Sequence, residues 1–171
     1  MYAKSLGSAG LALVLVTLFG GIDCAHTQDP PAPCTSPEPL KVTIGASQRI
    51  NLGEKGEALA TVVRLYQLKA TGKLTGASFD DLMDHDHDAL GDDFVTVQEV
   101  TVNPGERIAP PLVRSQDASF IAAVALFREP AGVAWRVFTK LRSPDPQYCH
   151  HADAPGSTVQ YFLDENRIEL R

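Results

Sequence analysis

β-Branched, aromatic and aliphatic residues fill the stretch Thr61–Lys69, which reads Thr-Val-Val-Arg-Leu-Tyr-Gln-Leu-Lys and lies between two glycine-bearing segments. Such residues suit a pleated surface, so the pattern predicts a β-strand. Apolar residues occupy both faces, whereas a strand with one face in water would alternate more regularly. We therefore predict a central strand that is covered on both sides, in which Arg64 needs a polar partner or a route to solvent.

Other stretches have strand patterns as well. Leu40–Ala46 alternates between apolar and polar residues, which predicts a half-buried first strand next to the central one. Phe120–Phe127 is a continuous apolar run of strand length and is predicted to lie in the core. The remaining strand candidates are Phe94–Val102, Trp135–Phe138, Val159–Leu163 and Arg167–Leu170. The last two predict a terminal hairpin.

One short helix interrupts this series of strands. Ser78–Asp81 has the sequence of a helix-capping box, and Phe79, Leu82 and Met83 are spaced to share one helical face. Several short strands with one brief helical insertion indicate an all-β fold, an antiparallel β-sandwich. No repeat or second domain is evident, and residues 40–171 are predicted to form the domain.

The segment Ser47–Ala60 connects the first two predicted strands and is polar. Most hairpin connections take about two to five residues, so a longer one is either a functional projection or a mobile tip. Its glycines would let the backbone approach a partner closely. We expect a contact surface here, formed by Ile50, Asn51, Leu52, Gly53, Glu54, Lys55, Gly56 and Glu57.

Residues 1–23 have the pattern of an export signal, in which Lys4 precedes an apolar stretch that ends in two glycines. A permanent membrane span needs about 20 mostly apolar residues, and this stretch is shorter and is interrupted by small and polar residues. A cleaved leader is therefore predicted. Residues 24–39, rich in proline, are predicted to be a tether that spaces the domain from its anchor.

The cysteines are Cys24, Cys34 and Cys149. Cys24 directly follows the leader, where bacterial lipoproteins are cleaved and acylated, although Asp23 stands where a small residue is usual. Lipidation, ordinary export and a retained anchor all stay open on this motif. Lipidation of Cys24 would account for the odd cysteine, and Cys34 and Cys149 could then pair in an oxidising compartment. The alternative is two unpaired thiols.

The chain is acidic, with a formal net charge of −6 and a pI near 5.3. This charge argues against non-specific binding to nucleic acid or to anionic membranes, both of which require basic surfaces. No Gly-x-Ser-x-Gly, His-Glu-x-x-His or phosphate-binding glycine loop occurs in the sequence. The sequence therefore favours a protein that is not an enzyme, and we assign no catalytic residue and no cofactor.

An acidic segment, Asp84–Asp93, holds five aspartates and two histidines. It does not fit an EF-hand loop, because Ala89 and Val95 stand where Gly and Glu are required. A zinc site would need ligands beyond its two histidines, for which His150 and His151 are the candidates. We interpret the segment as a solvated helix end without a metal; a periplasmic metal-binding or small-ligand-binding sandwich is the alternative function.

The order of these features resembles that of a known family, the lipoproteins of the bacterial type VI secretion system, called TssJ, SciN or VasD. The resemblance is most specific at Val62–Lys69, which follows a loop with Asn51 and Gly56 where the family also places Asn and Gly. Further motifs follow in the family's order: Phe79-Asp-Asp-Leu82, Leu90-Gly-Asp-Asp93, Pro104-Gly-Glu106 and Phe127-Arg128.

The resemblance implies a transthyretin-like β-sandwich that an acyl chain holds on the periplasmic face of the outer membrane. It also implies a partner, the periplasmic domain of a TssM-like inner-membrane protein, engaged in part by the loop between the first two strands. The pair Asp23-Cys24 departs from the family's acylation pattern, and this departure concerns the anchor rather than the fold.

Overall fold

The computed structural model of the chain describes residues 39–143 and 156–171, and these form two four-stranded sheets. The first sheet contains β1 (Leu40–Ile50), β4 (Arg107–Ile108), β7 (Ser157–Glu165) and β8 (Arg167–Leu170), in the order β4-β1-β7-β8. The second contains β2 (Thr61–Leu68), β3 (Phe94–Val102), β5 (Phe120–Leu126) and β6 (Arg136–Lys140), in the order β3-β2-β5-β6.

Three short helices lie between β2 and β3, followed by a 3₁₀ turn at Gly91–Asp93. They are α1 (Gly72–Gly76), α2 (Phe79–Asp84) and α3 (Asp86–Leu90). We call this whole region, from Gly72 to Asp93, the helical insertion. Within the described ranges, no helix has the length and apolar character that crossing a membrane requires.

The predicted all-β sandwich is confirmed, and its strand pairs are antiparallel except for the parallel pair of β1 and β7. The predicted neighbour of β1 is wrong, because β1 pairs with β4 and β7 in the first sheet, whereas β2 belongs to the second. An alternating pattern specifies which face of a strand is buried, but it does not specify which strand lies beside it.

The central position of β2 is confirmed, since it lies between β3 and β5. On its inner face, Val63 and Leu65 are fully buried and stand opposite Ala125 and Ala123 of β5. From the first sheet, the hydroxyl of Tyr161 donates a hydrogen bond to the carbonyl of Ile121 at 3.3 Å. The two sheets therefore share one core, and burial raises the pKa of the Tyr161 hydroxyl.

The outer face of β2 is covered by the helical insertion, to which each helix contributes one fully buried leucine, namely Leu74, Leu82 and Leu90. The predicted capping box is confirmed, because the Ser78 hydroxyl accepts from the Asp81 N–H at 3.1 Å and the Asp81 carboxylate accepts from the Ser78 N–H at 3.0 Å. These hydrogen bonds lower the pKa of Asp81. Met83, which the spacing predicts on the same apolar face, is 38% exposed.

Two arginines from the outer face of the second sheet hydrogen-bond to the helical insertion. Arg64 of β2 donates to the carbonyls of Leu82 and Met83 at 2.6 and 3.1 Å, and its Nε lies 2.6 Å from Glu99. Arg136 of β6 donates to the carbonyls of Leu74, Thr75 and Ala77. The last carbonyls of a helix have no partner within it, so these guanidinium groups stabilise the helix ends on the sheet.

We expect Arg64→Met to lower the free energy of unfolding by about 2 to 3 kcal/mol, because half-buried carbonyls lose a charged donor. Hydrogen exchange in α2 should also become faster. Urea denaturation and exchange mass spectrometry measure the two effects. Arg167→Met, which removes an exposed ion pair to Asp164, is the matched control and should cost less than about 0.5 kcal/mol. Equal effects of the two substitutions would contradict the proposed role of Arg64.

Candidate partner-binding site

The segment between β1 and β2 crosses from the first sheet to the second, which explains its length. β1 continues to Ile50, beyond the predicted end at Ala46, so the connection is formed by residues 51–60. It is therefore not a hairpin loop, because β1 and β2 are not paired with each other. The usual lengths of hairpin loops do not apply to it. A connection between two packed sheets must span the distance between them.

The outer part of this connection is a small hairpin of its own. Leu52 forms an antiparallel bridge with Ala58, the Gly53 N–H donates to the Glu57 carbonyl at 2.8 Å, and the Gly56 N–H donates to the Gly53 carbonyl at 2.9 Å. Gly56 has a φ of +78°, a left-handed conformation that glycine adopts without steric cost. This is the pattern of a tight turn that ends in a glycine bulge. We call residues Leu52–Glu57 the loop tip.

Asn51 fixes the base of the loop tip. Its side-chain amide donates to the Ala60 carbonyl at 3.0 Å, and its Oδ1 accepts from the Arg128 N–H at 2.8 Å. Its own N–H donates to the Glu165 carbonyl at 2.8 Å. Asn51 has a φ of +49°, which asparagine tolerates better than other side chains do. One residue thus connects the end of β1 with β2, with the end of β5 and with the turn after β7.

Charges line the outside of the loop tip. The Glu54 carboxylate lies 3.4 Å from the Arg128 guanidinium, with 86% and 42% of the two side chains exposed. Such an exposed pair contributes little to stability, because water screens it. Lys55 and Glu57 are exposed as well, and the Glu57 carboxylate accepts from the Lys55 N–H at 3.0 Å. The charged groups are therefore available to a partner.

The structure narrows the predicted contact surface. Ile50 is fully buried and Asn51 is 5% exposed, so these two residues support the loop and offer no surface to a partner. Leu52 and Gly53 are half-buried, and the residues from Glu54 to Glu57 are exposed. Arg128 also belongs to this site, through its N–H bond to Asn51. The Phe127-Arg128 motif is its only signal in the sequence, and that motif shows nothing about the contact with Asn51.

Several other predicted residues lie outside the described residues. They are Cys24, Cys34, Cys149, His150 and His151. Of the candidate zinc ligands in the acidic segment, His87 contacts the ring of Phe94 with the ring centroids 4.0 Å apart. In the described part of the chain, no three His, Cys, Asp or Glu side chains are grouped so that they could hold a metal ion.

Comparison with known families decides what kind of protein this is. The model of a family described as the type VI secretion lipoproteins, which include VasD, EvfM and TssJ, matches residues 38–164. The chain belongs to this family. No curated protein matches the chain. Members of the type VI secretion lipoprotein family are structural components of a membrane complex and not a known class of enzyme.

Solved structures of this fold agree with the family match. The lipoprotein TssJ1 from Pseudomonas aeruginosa is 23% identical, with 79% of this chain and 97% of that chain covered and a TM-score of 0.63. A chain in the structure of the TssM C-terminal domain from EAEC is 26% identical over 78% of this chain and 100% of that chain, with a TM-score of 0.64. A chain in a type VI membrane complex is 25% identical over 78% and 98%, with a TM-score of 0.65.

These likenesses confirm the transthyretin-like sandwich and support a role in the type VI secretion membrane complex. In this family member, the loop tip is a hydrogen-bonded hairpin attached to the core through Asn51.

We expect Asn51→Ala to lower the free energy of unfolding by about 2 to 4 kcal/mol, because two backbone groups lose their partner and alanine is strained at this φ. Asn51→Asp keeps an acceptor for Arg128 but removes the donor to Ala60, so its loss should be smaller. Thermal and urea denaturation measure both. Lys55→Ala, at the exposed end of the hairpin, is the control and should change stability by less than about 0.5 kcal/mol.

Proposed function

We propose that this protein is a periplasmic lipoprotein, anchored in the outer membrane through Cys24, that binds the periplasmic domain of a TssM-like inner-membrane protein. The loop tip, Leu52–Glu57, forms part of the contact. The observation that carries this proposal is the hydrogen-bonded, solvent-exposed hairpin that precedes the strand where the sequence resemblance to the family is most specific.

The internal hydrogen bonds of the loop tip favour binding. A preformed hairpin loses little conformational entropy when a partner covers it, so more of the contact energy appears as affinity. Its glycines expose backbone to a partner, and half-buried Leu52 supplies the apolar surface. Glu54 and Lys55 lie at its end and have opposite charge, so we expect them to affect the association rate more than the affinity.

The anchor proposal is supported by the position of Cys24 after the predicted leader and by the membership of a lipoprotein family. One acyl chain binds a membrane only marginally, but a lipoprotein cysteine carries several chains and is held firmly.

A disulfide between Cys34 and Cys149 is supported by the described residues that follow each cysteine in the sequence. The Ser157 N–H donates to the Pro39 carbonyl at 3.1 Å. Pro39, five residues after Cys34, and Ser157, eight residues after Cys149, are therefore neighbours. A bridge that closes so long a loop would stabilise the fold by about 4 to 5 kcal/mol on the chain-entropy model.

Replacing Leu52–Glu57 by a Gly-Ser segment of equal length, with Asn51 kept, should weaken binding to the purified TssM-like periplasmic domain at least about tenfold, or 1.4 kcal/mol. Calorimetry or surface plasmon resonance measures this. Val133→Ser, which changes a side chain that is 71% exposed elsewhere on the surface, is the control and should leave affinity unchanged. Undiminished affinity of a replaced variant that is folded by circular dichroism would place recognition on another surface.

Mass spectrometry of the membrane-extracted protein should show a chain that begins at Cys24 with a diacylglyceryl group attached. Cys24→Ser should move the protein to the soluble periplasmic fraction. An unmodified soluble chain that begins after Cys24 would refute the anchor.

Peptide mapping without reductant should give one peptide pair that joins Cys34 to Cys149. Free alkylation of both of these thiols in the native protein would refute the disulfide.

A further inference from the structure

β3 forms one edge of the second sheet and has an open side. It spans nine residues, from Phe94 to Val102, and pairs with β2 only. In an antiparallel pair, alternate residues direct their N–H and C=O groups away from the partner strand. No backbone hydrogen bond from another described residue reaches this outer side of β3. The row of groups is therefore a template for one more strand.

The other sheet edges are short or carry two charges each, whereas β3 is long and carries one. β4 has two residues, β8 has four and carries Arg167 and Glu169, and β6 has five and carries Arg136 and Lys140. Short strands and edge charges are the usual protection against unwanted strand pairing. β3 reads Phe-Val-Thr-Val-Gln-Glu-Val-Thr-Val, with Glu99 as its single charge and without lysine or proline. Its sequence thus favours pairing with an additional strand.

A cavity of about 230 Å³ adjoins β3 on the inner side of the sheet. Its walls are Leu65 and Gln67 of β2, the β3 residues 96–98 and the segment 112–115. The Gln67 amide holds the third wall in place, because it donates to the Val113 carbonyl and accepts from the Ser115 N–H, both at 2.8 Å. A cavity of about 150 Å³ can hold benzene, so this one, whose lining mixes polar and apolar side chains, has room for a side chain of that size.

The charge around β3 indicates which strand would bind. The helical insertion leads directly into β3, and its residues 79–93 contain no lysine or arginine. The aspartates of this stretch are Asp80, Asp81, Asp84, Asp86, Asp88, Asp92 and Asp93. Glu99 of β3 is paired with Arg64 at 2.6 Å, so the negative charge next to this edge comes from the aspartates of the insertion. A second copy of this chain, with a net charge of −6, would be repelled, whereas a basic segment would be attracted.

We propose that the open edge of β3 binds an extended, basic segment of a partner protein by strand addition, with one apolar side chain of that segment in the adjoining cavity. Main-chain hydrogen bonds supply affinity in this mode of binding, and the cavity supplies specificity. The surface is separate from the loop tip, so this proposal can fail while the proposed function stands, and the reverse is also true.

The test uses the mature full-length chain and the end-blocked peptide Lys-Val-Lys-Phe-Lys-Val-Lys, which alternates basic and apolar residues as a strand would. Hydrogen exchange followed by NMR should show that amides of Phe94–Val102 are slowed by the peptide, while those of Arg136–Lys140 on the opposite edge are not. A counterpart with glutamate for every lysine should bind at least about tenfold more weakly. A counterpart with alanine for phenylalanine should also bind more weakly, and higher salt should reduce binding.

Gln98→Lys places a positive charge at the cavity and should reduce peptide binding at least about tenfold, since a lysine directed into an edge opposes strand addition. Phe138→Lys, at a residue of β6 that is 38% exposed, adds the same charge on the other edge and should leave binding unchanged. Circular dichroism confirms that each variant is folded.

Four outcomes would overturn the proposal. Equal binding of the basic and acidic peptides, or no protection of β3 amides by either, would exclude a basic strand at this edge. Outward amides of β3 that are already protected in the free monomer would show that another part of the same chain covers the edge. A dimer in sedimentation that Gln98→Lys disrupts would assign the edge to a second copy.

Discussion

Burial of β2 on both faces is the constraint on which the rest of this structure depends. Its backbone groups pair with β3 and β5, so it cannot take any other position in the second sheet. Val63 and Leu65 require the first sheet as cover, and Tyr66 and Leu68, also fully buried, require the helical insertion. The Tyr66 hydroxyl donates to Asp86 at 2.8 Å, and burial together with this bond raises its pKa. Both layers therefore follow from one strand.

The helical insertion could not be stable alone. Its helices have five, six and five residues, whereas isolated helices shorter than about 12 to 15 residues are marginal in water. Their buried leucines and their bonds to Arg64 and Arg136 make them part of the sheet's packing. The acidic residues are then held on the outside of the domain, next to the start of β3. The helical insertion, which the core requires as cover, thus also makes the surface next to the start of β3 acidic.

The loop tip and the acidic helical insertion lie toward opposite ends of β3, and the open edge of β3 runs between them. β2 begins at Thr61, opposite Val102 at the end of β3, and the loop tip precedes it in the chain. The acidic insertion adjoins the other end of β3, at Phe94. Nine strand residues separate these ends by about 30 Å at roughly 3.4 Å per residue. Both surfaces rest on strands whose positions the core fixes.

The sequence alone determined the features that local chemistry controls. The sequence predicts these features because each depends on residues close together in the chain. They are the strand patterns, the capping box at Ser78, the terminal hairpin of β7 and β8 and the need of Arg64 for a polar partner. Order and spacing of such motifs were also enough to indicate the family.

Only the tertiary structure decided which strands are neighbours and what the loop residues do. The pattern of β1 could not show that it pairs in parallel with β7, more than 100 residues away, because alternation encodes a face and not a partner. Ile50 and Asn51 are predicted to be loop surface, but both are buried. Asn51 accepts a hydrogen bond from the N–H of Arg128, which lies 77 residues further along the chain. Contacts between distant residues form only when the sheets pack together, and no local pattern records them.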